Sequence, residues 1–362
     1  MSKLSKIGQR LYQGDVTINF VGRWKTWYII GGILLLISVG ALLGRGLNLG
    51  IEFKGGADFS LPAATCSVEE ARGVAETQTG AQSIVTVSGS GTIRVQTQTL
   101  TPAESSVLAG QLADACGIAK EDVKYQVVGP TWGAEISAKA LQGLIVFILL
   151  VTLFLTLYFE WRMAVGALVA LAHDLIITIG IYALIGLEVT PASVIGLLTI
   201  LGYSLYDTVV VFDKVKENTR GLTGQSVLTY NEAANLAVNQ TLVRSINTSV
   251  VALLPVFSII FVGALLLGAG TLLDLAVVLA IGMTVGTFSS IFIATPVLAQ
   301  LKSATPEMKA LSARVHARRA QVQRKSVETG QGELSTEELT IPRNLDPVER
   351  TQPRKVPRSK RK

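Results

Sequence analysis

Charge is scarce in this chain. Asp, Glu, Lys and Arg make up 16% of the 362 residues, against 49% hydrophobic. That balance excludes an ordinary soluble domain, whose charged share is nearer a quarter. Cysteine is nearly absent: Cys66 and Cys116 are the two in the chain, with no CxxC spacing, so zinc-finger and thioredoxin-type chemistry is not indicated. Neither a phosphate-cradling glycine loop followed by Lys nor a Ser/His nucleophile arrangement is present, so hydrolytic activity and bound cofactors are not expected. The first apolar run begins near Trp27 and has no small-residue cleavage site, so no removable signal peptide is read.

What the chain has is length in apolar runs. A helix needs roughly 20 such residues to cross a bilayer. Six runs qualify, at about Trp27–Leu43, Ala140–Phe159, Met163–Gly186, Ala192–Phe212, Leu242–Leu265 and Leu272–Leu298. Lys3, Lys6, Arg10, Arg23 and Lys25 precede the first, and 15 basic residues follow the sixth. The short connections after the third and fifth runs carry none. By the positive-inside rule both termini are cytoplasmic and residues 44–139 lie outside, their seven basic residues notwithstanding, because long loops cross regardless of charge.

Residues 44–139 read as a small domain. Stretches 53–61, 82–88, 92–100 and 121–128 have strand character. Ser67-Val-Glu-Glu70 and Thr101-Pro-Ala-Glu104 are capping boxes that each open a helix. The order β-α-β-β-α-β is ferredoxin-like. The fold class is therefore a polytopic α-helical membrane protein of six transmembrane helices plus a small α+β extracytoplasmic domain. The division is an N-terminal cytoplasmic segment 1–26, a first helix 27–43, the domain 44–139, helices two to six over 140–301, and a basic tail 302–362. Cys66 precedes the first domain helix and Cys116 ends the second, on the oxidising side. A disulfide and two buried thiols are both open readings. Leu4, Ile7 and Leu11 among basic residues suit the inner membrane surface. The tail, 302–362, is expected to be largely disordered: a short basic helix over 304–324 and then a polar, disordered stretch from Lys325, read as touching anionic membrane lipid ahead of the ribosome or another anionic partner. No specific nucleic-acid contact is indicated.

Polar groups inside the spans are where chemistry is expected, because a charged side chain there costs about 2.5–3.5 kcal/mol. Asp207 lies in the inner half of the fourth run, one turn from Ser204. In the fifth, Gln240, Thr241, Arg244, Asn247 and Thr248 recur at helical spacing. The reading is that Arg244 partners Asp207, directly or through Asn247, Thr248 or water. Burial and guanidinium proximity would then oppose each other on the carboxyl. The alternative is a fixed ion pair locking two helices. His173 and Asp174, in the third run, are either a second relay site or a polar clamp. Gly55 and Gly56 are either a hinge between membrane and domain or an ordinary turn.

Three blocks carry a family resemblance: AHDLIITIGIYALIGLEVTPASVIGLLTILGYSLYDTVVVFDKVKEN, LNLGIEFKGGADF and LVRSINTSV. Together they resemble the SecD/SecF family of protein translocase subunits, in its SecF branch, over about residues 18–301. Tyr206 departs from the family's usual Asn before the aspartate. The resemblance implies half of an RND-like transporter in the bacterial cytoplasmic membrane. A SecD half completes it, and the pair works with the SecYEG channel on a translocating preprotein. It also implies that a proton or sodium gradient is the energy source, with the coupling aspartate falling on Asp207 and the fifth-helix arginine on Arg244. Half of a small-molecule exporter and a passive channel scaffold are the rival readings. An intramembrane aspartyl protease is disfavoured, because Asp174 follows Ala-His rather than Gly-x-Gly.

Overall fold

In the computed structural model, residues 17–62, 65–87, 91–262 and 270–328 are described. The amphipathic pattern at Leu4, Ile7 and Leu11 and the tail beyond residue 328 lie outside them. Among the described residues, six helices are long and apolar enough to cross a membrane. They are α1 (Trp24–Arg45), α5 (Pro130–Tyr158), α6 (Trp161–Ile185), α7 (Pro191–Asn218), α8 (Tyr230–Val262), and a final span made of α9 (Gly270–Ser289), a π-helical turn (Ser290–Ala294) and α10 (Thr295–Ser303).

Two spans begin well before their apolar runs. Helix α5 starts at Pro130 rather than near 140, and α8 at Tyr230 rather than near 242. In each case the added turns are polar or mixed and were invisible to a hydropathy reading. The start of α8 is fixed by a local device: the Thr229 backbone N–H donates to Glu232, and the Glu232 N–H donates back to the Thr229 hydroxyl.

Between α1 and α5 lies the α+β domain. Its strands are β2 (Gly56–Leu61), β3 (Ile84–Val87), β4 (Ile93–Thr97) and β5 (Lys124–Val128), with α3 (Val68–Thr79) and α4 (Pro102–Cys116) between them. The sheet order is β3-β4-β2-β5, every neighbour antiparallel, which is the ferredoxin-like order. Both capping boxes form as the sequence spells them: Ser67 with Glu70, and Thr101 with Glu104. The backbone N–H of Ser67 or Thr101 holds each Glu carboxyl below its ordinary range. Phe59, Leu61, Val95, Leu108 and Leu112 fill the space between sheet and helices. A disulfide joins Cys66 to Cys116 at one edge of this core.

The reading of residues 53–55 as strand is corrected. Ile51–Lys54 forms a single helical turn, α2, closed by Gly55 at φ 78°, and the strand begins at Gly56. Ile51 is buried, and that anchors the turn. A side chain at Gly56 would meet the Thr97 carbonyl at 2.7 Å, so this glycine is required by close backbone approach.

Two further strands, β1 (Asn48–Leu49) and β6 (Glu188–Val189), pair in parallel. They tie the exit of the first span to the turn between the third and fourth. At the opposite end of the bundle, α11 (Pro306–Glu328) folds back. Its Met308, Leu311 and Val315 pack in one cluster with Leu222, Leu228 and Tyr230. Arg319 makes a two-pronged bond to Glu232 at 2.8 and 2.9 Å. The basic helix read at 304–324 is thus a packed element of the bundle.

Candidate functional site

Helix α7 starts at a Thr190/Ser193 capping box with Pro191 at its first position. It then runs against α9 at unusually short range. A Cβ at Gly282 would stand 2.2 Å from Ile200 Cδ1, and one at Gly286 would stand 2.9 Å from Ser204 Cβ. Only glycine permits that approach, and the result is to bring the hydroxyl-bearing turn of the sixth span onto the carboxylate-bearing face of α7. Gly202, on the same helix, has nothing within 4 Å of where a Cβ would stand.

Asp207 is 7% exposed. One carboxylate oxygen accepts from Ser245 Oγ at 2.6 Å, and the other accepts from Ser290 Oγ. Asp174 is 1% exposed. Its Oδ2 accepts from Ser204 Oγ at 2.5 Å and from Ser289 Oγ at 2.7 Å, while its Oδ1 faces His173 Nδ1 at 3.2 Å. The two acids are thus bound to consecutive serines of the sixth span, at the point where α9 passes into the π turn. A widened turn of this kind displaces the normal backbone ladder, and such turns recur at functional sites. The arrangement extends outward: Ser249 shares a hydrogen bond with Thr287 at 2.7 Å and donates to the Ser245 carbonyl at 2.9 Å.

The expected Asp207–Arg244 pair does not form. Among the described residues no Lys or Arg nitrogen lies within 4.0 Å of either carboxylate. Arg244 is exposed on the side of the chain, where its Nη2 donates to the Tyr206 hydroxyl at 3.3 Å. The reason is angular. Successive helical residues point about 100° apart, so Ser245 faces inward and Arg244 outward; the same step separates Asp207 from Tyr206. Asn247 is exposed, and Thr248 donates to the Arg244 carbonyl of its own helix, so neither bridges to the aspartate. Ser204, read as support for Asp207, bonds Asp174 instead. His173 and Asp174, read as a relay site or a polar clamp, meet each other, and His173 Nε2 is sealed from solvent without a hydrogen-bond partner among the described residues.

Ser245, Ser289 and Ser290 were missed by the sequence reading. Their signal was faint: Ser289-Ser290 is a hydroxyl pair in the apolar run TFSSIFIA, and Ser245 adjoins the arginine.

The arrangement has a definite chemical capacity. A serine hydroxyl donates to a carboxylate, and after a small rotation it accepts from a carboxylic acid. Each aspartate can therefore exist ionised or protonated without loss of its partners. Oxygen ligands of this type also suit a hard monovalent cation. No group of three or more His, Cys, Asp and Glu capable of holding a metal ion occurs among the described residues.

Comparison with known proteins follows this geometry. Residues 109–304 match the family described as Protein export membrane protein SecD/SecF, C-terminal, and residues 40–62 match the SecD/SecF GG Motif. The chain is 51% identical over 325 residues to the protein translocase subunit SecF of Streptomyces coelicolor, covering 89% of this chain and 86% of that one. It is 42% identical over 331 residues to the SecF subunit of Mycobacterium tuberculosis strain H37Rv, covering 87% and 75%. A crystal structure of SecDF from Thermus thermophilus, described as a translocon-associated membrane protein, superposes with a TM-score of 0.70 at 30% identity. That match covers 80% of this chain and 39% of the SecDF chain. On these matches and the six membrane-spanning helices, this chain belongs to the SecD/SecF family of protein-export membrane proteins, in its SecF branch.

Proposed function

We propose that this chain is the SecF-type half of an ion-driven motor that acts with a SecD-type half, beside the SecYEG channel, on late steps of protein export. Asp207 is the group that takes up and releases the ion, a proton in the first instance. The single observation that carries this reading is the chemistry around Asp207: a buried carboxyl held by two hydroxyls and, among the described residues, by no cation, in a protein of an export family. Such a shell serves both protonation states, whereas a fixed guanidinium partner would favour one.

Arg244 and Tyr206 supply the second argument. Both face out of the chain in its apolar zone, where an uncovered guanidinium is costly. A second half packed on that side would cover them, and a modest rotation would carry Arg244 toward Asp207. Of the family relatives, the Thermus thermophilus SecDF carries a SecF-like region within a longer chain. The distribution of Lys and Arg supports a topology with both termini in the cytoplasm and the α+β domain outside. No cofactor is involved, and the chain does no hydrolysis of its own.

The test uses inverted membrane vesicles carrying this chain or its Asp207→Asn variant at matched levels, together with the SecD half. A preprotein is trapped part-way through the channel, ATP is removed, and completion is followed with and without a gradient. Gradient-driven completion that needs Asp207 supports the reading. Equal completion by the variant makes the aspartate a structural clamp in a passive scaffold. Collapse of the effect by a protonophore, with no response to a sodium gradient, identifies the proton.

A further inference from the structure

A second charged group sits at the other end of the molecule from α11, where the α+β domain rests on the bundle. Arg94, on β4, pairs with Asp58 on the neighbouring strand and with Glu188 of the turn between the third and fourth spans, at 2.7 Å. Gln96 donates to Glu188 at 2.8 Å. Two side chains of the domain sheet thus grip one carboxylate of the membrane bundle. Three residues beyond Glu188 begins helix α7, which carries Asp207.

Beside this grip lies Glu52 of α2. One of its carboxyl oxygens is sealed from solvent and has no hydrogen-bond partner among the described residues. It approaches the same face of Gly50 as Glu188 Oε1: a Cβ built there would lie 2.6 Å from one and 3.0 Å from the other. The cluster therefore sets three carboxyls against one guanidinium.

We propose that Glu52, Asp58, Arg94 and Glu188 form a proton-sensitive latch, which fastens the α+β domain to the turn ahead of the Asp207 helix. Proton binding at Glu52 removes a negative charge beside Glu188, and the grip of Arg94 and Gln96 on Glu188 tightens. Loss of that proton sets two carboxylates against each other in a half-buried space, and the grip loosens. Burial is the main cause that raises the Glu52 carboxyl above its ordinary value, with the Glu188 charge adding to it. The sign follows: the docked arrangement is fully favoured at low pH and is penalised as pH rises through that raised value. For Arg94, burial works against its charge, but the bonds and charges of Asp58 and Glu188 prevail and hold it protonated.

The other charged groups on the packed elements do not replace these roles. Asp274, at the start of the sixth span, adds a further negative charge close enough to feel Glu188, Arg94 and Glu52. Glu135 and Lys139 on α5 pair with each other at the surface. Lys54 and Lys124 are exposed, and Arg45 donates to the Leu184 carbonyl. On the topology proposed above, the cluster faces the outside, the compartment acidified by an energised membrane. The latch needs no assumption about Asp207 itself.

The test measures domain position directly. The two native cysteines are bonded to each other, so introduced cysteines are the ones that take a label. Spin labels at Val107→Cys and Leu184→Cys, both exposed positions, report the distance from the domain to the third span in the full chain in lipid nanodiscs. As pH is raised from the ordinary carboxyl value of 4.5 into the alkaline range, the narrow distance population is expected to lose at least half its weight. Glu52→Gln keeps it narrow at both ends of that range. Arg94→Gln broadens it at both; Glu188→Gln carries the same test where Arg94→Gln gives no folded protein. Distributions that superimpose across pH in the unaltered protein overturn the proposal. So does a Glu52→Gln protein that responds as the unaltered one does, or a narrow peak that survives loss of the Arg94–Glu188 pair.

Discussion

Replacing Gly282 by alanine puts the close approach of α7 and α9 to a quantitative test. The added Cβ would lie 2.2 Å from Ile200 Cδ1, 2.6 Å from Cγ2 and 2.8 Å from Cγ1. Relaxed carbon contacts sit at about 3.5–4.0 Å, so the helices must part by roughly 1.5 Å or Ile200 must leave its rotamer. Ile200 is 2% exposed and has little room to turn. Overpacking of this kind costs about 1–3 kcal/mol. Separation also stretches the bond from Ser290 to Asp207, which crosses between the two helices, past the roughly 3.0 Å limit of an O–H···O bond. Gly282→Ala should therefore lower the melting temperature in detergent and impair gradient-driven export together. Ile200→Ala removes all three contacted atoms at a cavity cost of about 2–5 kcal/mol. The double variant should be less damaged than the sum of the singles by about 1–3 kcal/mol, with export partly restored. Strict additivity of the two losses, or a Gly282→Ala protein as stable as the parent, would refute the argument that this glycine sets the helix spacing.

Ser290→Ala and Ser245→Ala each remove one donor from a buried carboxylate, a loss of about 1–3 kcal/mol to the ionised form. Each should slow gradient-driven export, while Ser258→Ala, whose hydroxyl serves its own helix, should leave the rate unchanged. Reducing the Cys66–Cys116 bond reopens a 50-residue separation and should cost the α+β domain about 2–4 kcal/mol. Limited proteolysis should then cut within residues 65–128 and spare the spans. Arg319→Ala strips α11 of its bond to Glu232 and should expose residues 306–328 to hydrogen exchange, with little change in α6. The lowered Glu70 and Glu104 carboxyls stabilise the docked N-termini of α3 and α4 fully above the ordinary value of 4.5, and that stability goes as pH falls through the lowered values. Carboxyl resonances followed by NMR during acid titration check the direction.

Elements written in short-range code were legible. The capping boxes at Ser67 and Thr101 start α3 and α4 where the residues say, because an N-cap is a contact between residues three apart. Six spans were countable because apolar length is a sum over one segment. The starts of α5 and α8 were not, because their first turns are held by packing and capping rather than by hydropathy. Within the site, Asp207 and Asp174 stood out as charges in apolar runs. Their true partners did not, because serine in a membrane helix commonly bonds its own i−4 carbonyl, as Ser258 and Thr284 do here, and nothing local separates those from Ser290. The expected partner, Arg244, came from charge complementarity and from the helical spacing of the polar residues around it, neither of which fixes which side chain turns inward. A step of one residue along α8 decided that the hydroxyl, not the guanidinium, turns inward.

The π turn at Ser290–Ala294 has a bearing on everything after it. One residue is wound into the sixth span beyond what an α-helix would hold, so the remainder of the span is rotated by about 100° relative to an uninterrupted helix. In that rotated phase Leu298 and Ala299 are fully buried in the cluster that includes Phe212 and Ala167, and α11 is delivered to its seat. Slipping the turn back to α-helical winding would swing this whole inner segment like a key in a lock, while Gly282 and Gly286 above it stayed put. The two serines that bond the aspartates, Ser289 and Ser290, stand where that change of winding begins.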